Sequence, residues 1–186
     1  MARGADFDLG KELAKPSFTP AQRDAPALVE LVVGGEEPSS ERAAAALASL
    51  GDVGRKAIEA RLGGRAKTAD IDVDAGELGD ASTARLVGAL GLLARRGDAV
   101  ARAEVIAKTS DAHVRVRRAA ILALGKLGAD KRGVADETAV AEARAALLAR
   151  WDAGDAPPDE RRALVEALGK LGGDEARVRL QALEPG

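Results

Sequence analysis

The stretch RRAAILALGKLG, residues Arg117–Gly128, recurs 44 positions later as RRALVEALGKLG, residues Arg161–Gly172. Nine of the twelve positions are identical, including the whole ALGKLG ending. Self-similarity at so long a period is typical of repeat proteins, in which each unit buries its apolar face only against its neighbours. Apolar residues recur in both copies with the helical period of 3.6, and small alanines stand between them. Both stretches are therefore predicted to be α-helices that pack closely.

Weaker copies of the same core occur earlier in the chain. Leu47, Leu90, Leu124 and Leu168 occupy equivalent places in ALASLG, ALGLLA, ALGKLG and ALGKLG, at spacings of 43, 34 and 44 residues. Such spacings fit repeats built from two helices. A Gly- or Asp-containing turn follows each core, as expected where one helix ends and the next begins. The four predicted units cover about 40–64, 80–110, 111–152 and 155–184.

The pattern also predicts where the helices lie. The first helices of the units are predicted at 40–50, 81–95, 113–127 and 159–171. The second helices are predicted at 53–62, 98–109, 136–151 and 174–183. Ser39, Asp80, Ser110 and Asp155 are the side chains that we expect to cap the first helices.

Three further segments complete the domain organisation. Residues 1–20 contain Gly, Pro and mixed charges with weak periodicity, and we expect an irregular N-terminal arm. Residues 21–33 have helical periodicity and end at Gly34-Gly35, so a helix precedes the first unit. The polar segment 65–79 is predicted to be a loop, and no strand is expected anywhere in the chain. The repeat domain therefore extends over 21–186.

The third unit carries a recognisable pattern, DAHVRVRRAAILALGKLG, which begins at Asp111. It resembles the HEAT repeat, specifically the bacterial HEAT-like subclass named from phycobilisome lyases, with the pattern D-xx-VR-xx-AA-xx-ALG-x-LG. The fourth unit matches from Arg161 onward, and the first two match only in their Ala-Leu cores. The resemblance implies an all-α fold, an α-solenoid of about four HEAT-like helix pairs plus an N-terminal helix. It also implies a surface for protein or nucleic-acid partners. Lyase activity is not implied, because the chain has no bilin-site motif.

The chain has few residues suited to catalysis. It contains one histidine, no cysteine and no tyrosine, and no glycine-rich phosphate-binding motif is present. His113 lies at a predicted helix start, where a solvated residue is the more ordinary interpretation. Trp151-Asp152 is our only candidate for the aromatic and acidic residues that a glycosylase cleft uses, and a helix-end tryptophan is more often a packing anchor. We therefore predict that the chain is not an enzyme, with no catalytic residues and no cofactor.

The acidic segment around residues 70–76 has part of the pattern of a calcium-binding loop. Asp70, Asp72 and Asp74 alternate as the first ligands of a calcium-binding loop do, but the glycine, Gly76, comes one place late. The position where such a loop carries glutamate is Ala81. A solvated acidic loop fits better, and no metal is predicted.

Charge is distributed unevenly along the chain. The formal net charge is −2, yet Arg85–Arg132 alone carries +7, and the segments on either side carry −5 and −4. This basic centre can be a solvated face paired with neighbouring carboxylates, a docking surface for a protein, or a contact for phosphates. Aromatic residues, which single-stranded nucleic acid stacks upon, are absent from it. The candidate binding residues are Arg95, Arg96, Arg102, Lys108, Arg115, Arg117 and Arg118.

These features favour a non-catalytic interaction scaffold that binds a protein partner through the solenoid surface. The alternative is a nucleic-acid (RNA) substrate-docking module of a larger modifying enzyme such as a methyltransferase. Neither a secretory signal nor a membrane-spanning apolar run is evident in the sequence, so a cytoplasmic location and no membrane contact are expected.

Overall fold

The computed structural model describes residues 8–15, 17–68, 71–74, 78–129 and 136–182. Apart from one small hairpin, every regular element in these ranges is helical, which confirms the all-α class. The 3-10 turns are Gln22–Asp24, Lys108–Ser110 and Lys126–Ala129. The α-helices are α1 (Leu9–Leu13), α2 (Ala25–Gly34), α3 (Ser39–Ser49), α4 (Asp52–Leu62), α5 (Asp80–Ala94), α6 (Ala99–Ala107), α7 (Val114–Gly125), α8 (Glu137–Asp152), α9 (Pro158–Leu171) and α10 (Asp174–Gln181).

The helices α3 to α10 lie where the eight repeat helices were predicted, and each end lies within two residues of its predicted position. Two expectations were wrong in part. The N-terminal arm contains a helix, α1, which Asp8 caps by accepting hydrogen bonds from the backbone N–H groups of Gly10 and Lys11. Leu13 at the end of α1 is buried, and its apolar contacts attach the short helix to the rest of the first helices.

The predicted loop after α4 contains a two-stranded antiparallel hairpin instead. Strand β1 (Arg65–Thr68) pairs with β2 (Ile71–Asp74), and Arg65 lies opposite Asp74. The sequence of β2, IDVD, alternates apolar and acidic residues with a period of two, which is the pattern of a strand.

The chain divides into two compact units, Met1–Ala89 and Leu90–Gly186, and the boundary falls within α5. In the first unit, α2 packs on α3 and α4, and α1 contacts α2 and α3. Leu28, Leu47 and Ile58 are fully buried there, one from each of the three larger helices. A Cβ placed on Gly54 would lie 2.0 Å from the carbonyl oxygen of Leu47, so α3 and α4 approach too closely for any side chain at that position.

In the second unit, α7 and α9 lie against each other, and α8 contacts both of them as well as α6. The two predicted apolar stripes, one on each of α7 and α9, form the centre of this core. Every member of both stripes is buried except Val165, which is partly exposed. The stripes comprise Ala120, Ile121 and Leu124 on α7 with Leu127 in the turn after it, and Leu164, Val165, Leu168 and Leu171 on α9.

The glycines of the repeated motif mark the closest contacts between helices. A Cβ placed on Gly91 of α5 would lie 2.6 Å from the Cβ of Ala123 on α7. A Cβ on Gly125, one unit later, would lie 2.7 Å from the Cβ of Ala167 on α9. Each alanine stands two positions before the equivalent glycine of its own unit. The same small-to-small contact therefore joins α5 to α7 and α7 to α9, and it explains the motif ALG.

Capping departs from the sequence prediction. Asp98 and Asp136 cap the second helices α6 and α8, each accepting hydrogen bonds from two backbone N–H groups. The expected caps of the first helices are different. Ser39 lies inside α3, and the N-cap residues of α7 and α9, His113 and Pro157, accept no capping hydrogen bond through a side chain.

Candidate functional site

The seven basic residues predicted to form a binding surface do not share one environment. Arg102 is only 7% exposed, and its Nε donates to Glu142 Oε2 on α8 over 2.8 Å. Lys108 pairs with Asp111 over 3.1 Å, a contact that ties the end of α6 to the start of α7. Burial raises the pKa of the Asp111 carboxyl. Hydrogen bonds from the His113 backbone and from Lys108 outweigh burial and hold this pKa below its ordinary value. These two cations are engaged within the fold.

Arg117 belongs to a buried ion cluster that the sequence analysis missed. Its Nε and Nη2 donate to Glu160 Oε2 over 2.9 and 2.7 Å, and its Nη1 donates to the backbone oxygens of Asp111 and Ala112. Arg150 of α8 donates from Nε to the other oxygen of Glu160 over 2.6 Å. Glu160 itself has no exposed surface. One carboxylate thus joins α7, α8 and α9.

The electrostatics of this cluster favour the charged state. Burial raises the pKa of the Glu160 carboxyl, but the hydrogen bonds from Arg117 and Arg150 outweigh burial and hold the pKa below its ordinary value. The pKa of Arg150 is raised by its hydrogen bond to Glu160, and Asp155 adds to the effect. A buried carboxylate with two guanidinium partners is satisfied at neutral pH, so the cluster fixes the three helices relative to one another.

The exposed cations of α7 and of the turn after it form what we call the basic face, comprising Arg115 and Arg118 of α7 and Lys126 of the 3-10 turn. Their spacing places them along one side of the helix. Arg115 and Lys126 are exposed, and the Arg118 side chain is 44% exposed, with a long ion pair of 3.9 Å to Asp159 of α9. A pair of that length at the surface contributes little. The basic face therefore presents three cations whose side chains are at least partly exposed to solvent.

The neighbouring side of α9 mixes both signs. The hydrogen bond from Lys170 lowers the pKa of Glu166 below its ordinary value, and the charge of Lys126, in the turn after α7, lowers it further. Arg162 and Lys170 are exposed beside Asp159 and Glu166. The positive potential therefore concentrates on α7.

Arg95 and Arg96 are exposed in the turn that follows α5. Of the seven predicted residues, the structure thus places Arg115 and Arg118 on one helix face. It places Arg95 and Arg96 outside that helix and Arg102 and Arg117 in internal ion pairs. Lys126, which shares the basic face, lies within the basic centre of the sequence but is not one of the seven predicted binding residues. Lys131 and Arg132, which contributed to that centre, lie outside the described residues.

The other residues considered for chemistry have ordinary surroundings. His113 is exposed at the start of α7, as predicted, and its backbone N–H donates to Asp111 Oδ1 over 3.0 Å. Asp152 accepts two hydrogen bonds from Arg179 of α10, over 3.0 and 3.1 Å, and these lower its pKa. Asp72 and Asp74 lie on β2, whereas Asp70 is outside the described residues.

Two observations concern metals and membranes. Within the described ranges, no group of three or more His, Cys, Asp or Glu side chains is placed to hold a metal ion. None of the helices that the structure describes combines the length and apolarity that a bilayer span requires.

Glu160 is the residue that sequence reasoning was least able to find. It stands in PPDERR, where an acidic residue in the first turn of a helix is normally a solvated partner of the helix dipole. Only the packing of α9 between α7 and α8 buries it.

In comparisons with known proteins, no family model and no curated sequence matched the chain.

Proposed function

We propose that the chain is a non-catalytic interaction scaffold, an α-solenoid of about four HEAT-like helix pairs plus an N-terminal helix, that binds a protein partner. The observation that carries the proposal is the recurrence of one contact. The approach of Gly91 to Ala123 is repeated by Gly125 and Ala167, so α5, α7 and α9 follow each other by the same packing step. A chain that adds units in this way forms an extended surface rather than a closed pocket.

Internal rigidity supports the scaffold role. The ion cluster at Glu160 and the ion pair of Arg102 with Glu142 hold the second unit's helices in fixed positions. A surface that is already ordered loses less conformational entropy when it binds, so its contacts contribute more to affinity. The proposed partner would meet this preformed surface without remodelling it.

The basic face of α7 is the part of that surface with the clearest chemical preference. Its three cations favour an acidic segment of a protein partner. Exposed charges of this kind set the orientation and the association rate more than the affinity itself. The interaction is therefore expected to weaken with salt, because the Debye length falls from about 10 Å at 0.1 M to about 3 Å at 1 M.

A charge-reversal experiment tests the proposal. Leu122 lies between the cations of the basic face. Replacing it with a photo-crosslinking amino acid would link the chain covalently to a protein that is bound at this face. The test variant is Arg115→Glu/Arg118→Glu/Lys126→Glu. The control variant reverses three exposed lysines elsewhere: Lys11, Lys15 and Lys56.

We expect one crosslinked protein with the wild-type chain and the control variant, and its loss with the test variant. Equal crosslinking by all three chains, or none by the wild type, would refute docking at the basic face. Because the control makes the same change in net charge, a difference between the variants reports the location of the charge.

The same three exposed cations favour nucleic acid as the second candidate function, a docking module for an RNA substrate. Contact of three cations with phosphates predicts that log K falls with log salt with a slope of about −3. Fluorescence anisotropy with tRNA and with a generic duplex, between roughly 50 and 200 mM salt, measures that slope. Binding that the test variant loses would favour nucleic acid, and absence of binding at low salt would leave the protein partner.

A further inference from the structure

Two consecutive arginines of α7 lie opposite two consecutive acidic residues of α9. The inner pair, Arg117 with Glu160, is closed by hydrogen bonds of 2.9 and 2.7 Å. The outer pair, Arg118 with Asp159, measures 3.9 Å from Nη1 to Oδ2, which is too long for a hydrogen bond. The two arginines therefore differ in what the fold provides for them, although they are neighbours in the sequence.

Arg118 also carries a buried donor that has no acceptor. Its Nε is shielded from solvent and forms no hydrogen bond within the described part of the chain, although 44% of the whole side chain is exposed. A buried donor that is left unpaired is destabilising, and folded proteins contain few of them. A partner that offers an acceptor to this guanidinium removes that cost.

The other two cations of the basic face lack this feature. Arg115 and Lys126 are exposed, and neither has a buried side-chain nitrogen left unpaired among the described residues. An ion pair formed by such a side chain replaces contacts with water, so it contributes little to affinity. The three cations are therefore expected to contribute unequally to binding.

Asp159 is the acidic residue closest to this site. Its side chain is 68% exposed and lies on the same side of the fold as Arg118. The 3.9 Å pair gives it little stabilisation, yet its negative charge repels an acidic partner and competes with that partner for Arg118.

We infer that Arg118 anchors the partner of the basic face by binding one carboxylate of an acidic protein segment through Nε and a terminal nitrogen, and that Asp159 opposes this contact. The inference rests on the proposed function and deepens it, because it names the residue and the chemical group that hold the partner. The guanidinium would turn from Asp159 toward the partner, a side-chain change that is common when proteins bind.

The chemistry of arginine supports this assignment. A guanidinium presents a planar fork that matches the two oxygens of a carboxylate, and a lysine cannot reproduce this geometry. Arginine is also enriched among the few residues that carry most of the energy of a protein interface. Arg115 and Lys126 would attract and orient the same acidic segment.

The direct test uses a fluorescent oligoglutamate peptide with capped ends, whose binding to the full chain is measured by anisotropy at low salt. Arg118→Lys removes the fork and keeps the charge, and Arg115→Lys is the matched control on the same face. Asp159→Asn removes the competing carboxylate. Its control is Glu166→Gln, which removes the same charge from another exposed position of α9.

Arg118→Lys should bind the peptide about fivefold or more weakly than the wild type, whereas Arg115→Lys should stay within about twofold. Asp159→Asn should bind more tightly than the wild type, by a larger factor than Glu166→Gln. That gain should shrink when Asp159→Asn is combined with Arg118→Lys, because the two side chains act on one contact. Unchanged melting temperatures of the variants show that the fold is kept.

Four outcomes would overturn the inference. Equal effects of Arg118→Lys and Arg115→Lys would mean that the basic face acts only through its total charge. Absence of peptide binding by the folded wild type would exclude an acidic segment. Binding of tRNA that depends on Arg118, without binding of the peptide, would make nucleic acid the occupant. Self-association in sedimentation that Arg118→Lys abolishes would make a second copy the occupant.

The proposed function and this inference fail in different ways. If the triple reversal of the basic face abolishes the crosslink at Leu122 while the two lysine variants bind the peptide equally, docking at the face stands and the anchor role of Arg118 is wrong. If the crosslink does not depend on the basic face, the proposed docking itself is wrong.

Discussion

Replacing Gly125 with alanine tests whether α7 and α9 touch as the structure shows. The added Cβ would lie 2.7 Å from the Cβ and 2.8 Å from the Cα of Ala167, distances at which α9 must move. Overpacking of this kind costs about 1–3 kcal/mol. Alanine in place of glycine also favours the helix by up to about 1 kcal/mol. The net expectation for Gly125→Ala is a loss of stability of up to about 2 kcal/mol.

Gly169→Ala is the matched comparison, because Gly169 is the same motif position one unit later. Its new Cβ meets no described atom within 4 Å, so only the gain in helix propensity remains. This variant should be more stable than the wild type. The difference between the two variants isolates the packing cost, about 1–3 kcal/mol. In a chain of 186 residues that is about 2–12 °C in melting temperature.

Urea unfolding measures the difference, with fluorescence of the only tryptophan, Trp151 on α8, as a reporter within the second unit. A Gly125→Ala chain as stable as Gly169→Ala would refute the close approach of α7 to α9. It would also remove the observation that carries the scaffold proposal. Adding Ala167→Gly to Gly125→Ala should recover part of the loss, because the Cβ contact then disappears while the contact with the backbone remains.

Three further changes are expected to have defined effects. Glu160→Gln should remove part of the pH dependence of stability: the folded pKa of this carboxyl is depressed, so its stabilisation is present at neutral pH and is lost as pH falls from about 4.5 through the folded pKa. Urea midpoints of wild type and variant from pH 7 to 3 measure this, and parallel curves would contradict it. Asp98→Ala should cost about 1 kcal/mol through the lost cap of α6, whereas Ser39→Ala should change little, and circular dichroism melts compare them. Leu124→Asp places an unpaired charge at a fully buried position and should unfold the second unit; an unchanged melt would mean that the core is assigned wrongly.

The helices could be predicted from the sequence because their signal is local. The apolar period of 3.6, the ALG cores and the Gly-Asp turns all act within one helix or its end, and they located α3 to α10 within two residues. The N-cap residues were harder to predict, because several serines and aspartates can stand near one helix start and only one of them occupies the N-cap position. Asp155, for example, pairs with Arg150 instead of capping α9. The hairpin after α4 was missed because the period of two spans only four residues, Ile71–Asp74.

Charge roles could not be predicted, because they depend on which helix lies opposite. Arg117 and Arg161 begin the same twelve-residue motif, and nothing within that motif separates them. One is bound by Glu160, 43 residues away, and the other is exposed. The carboxylate that binds Arg117 comes from the next unit of the chain. A cation of a repeat motif is therefore a structural residue where the following unit supplies its carboxylate, and this pairing is set by packing rather than by the local sequence.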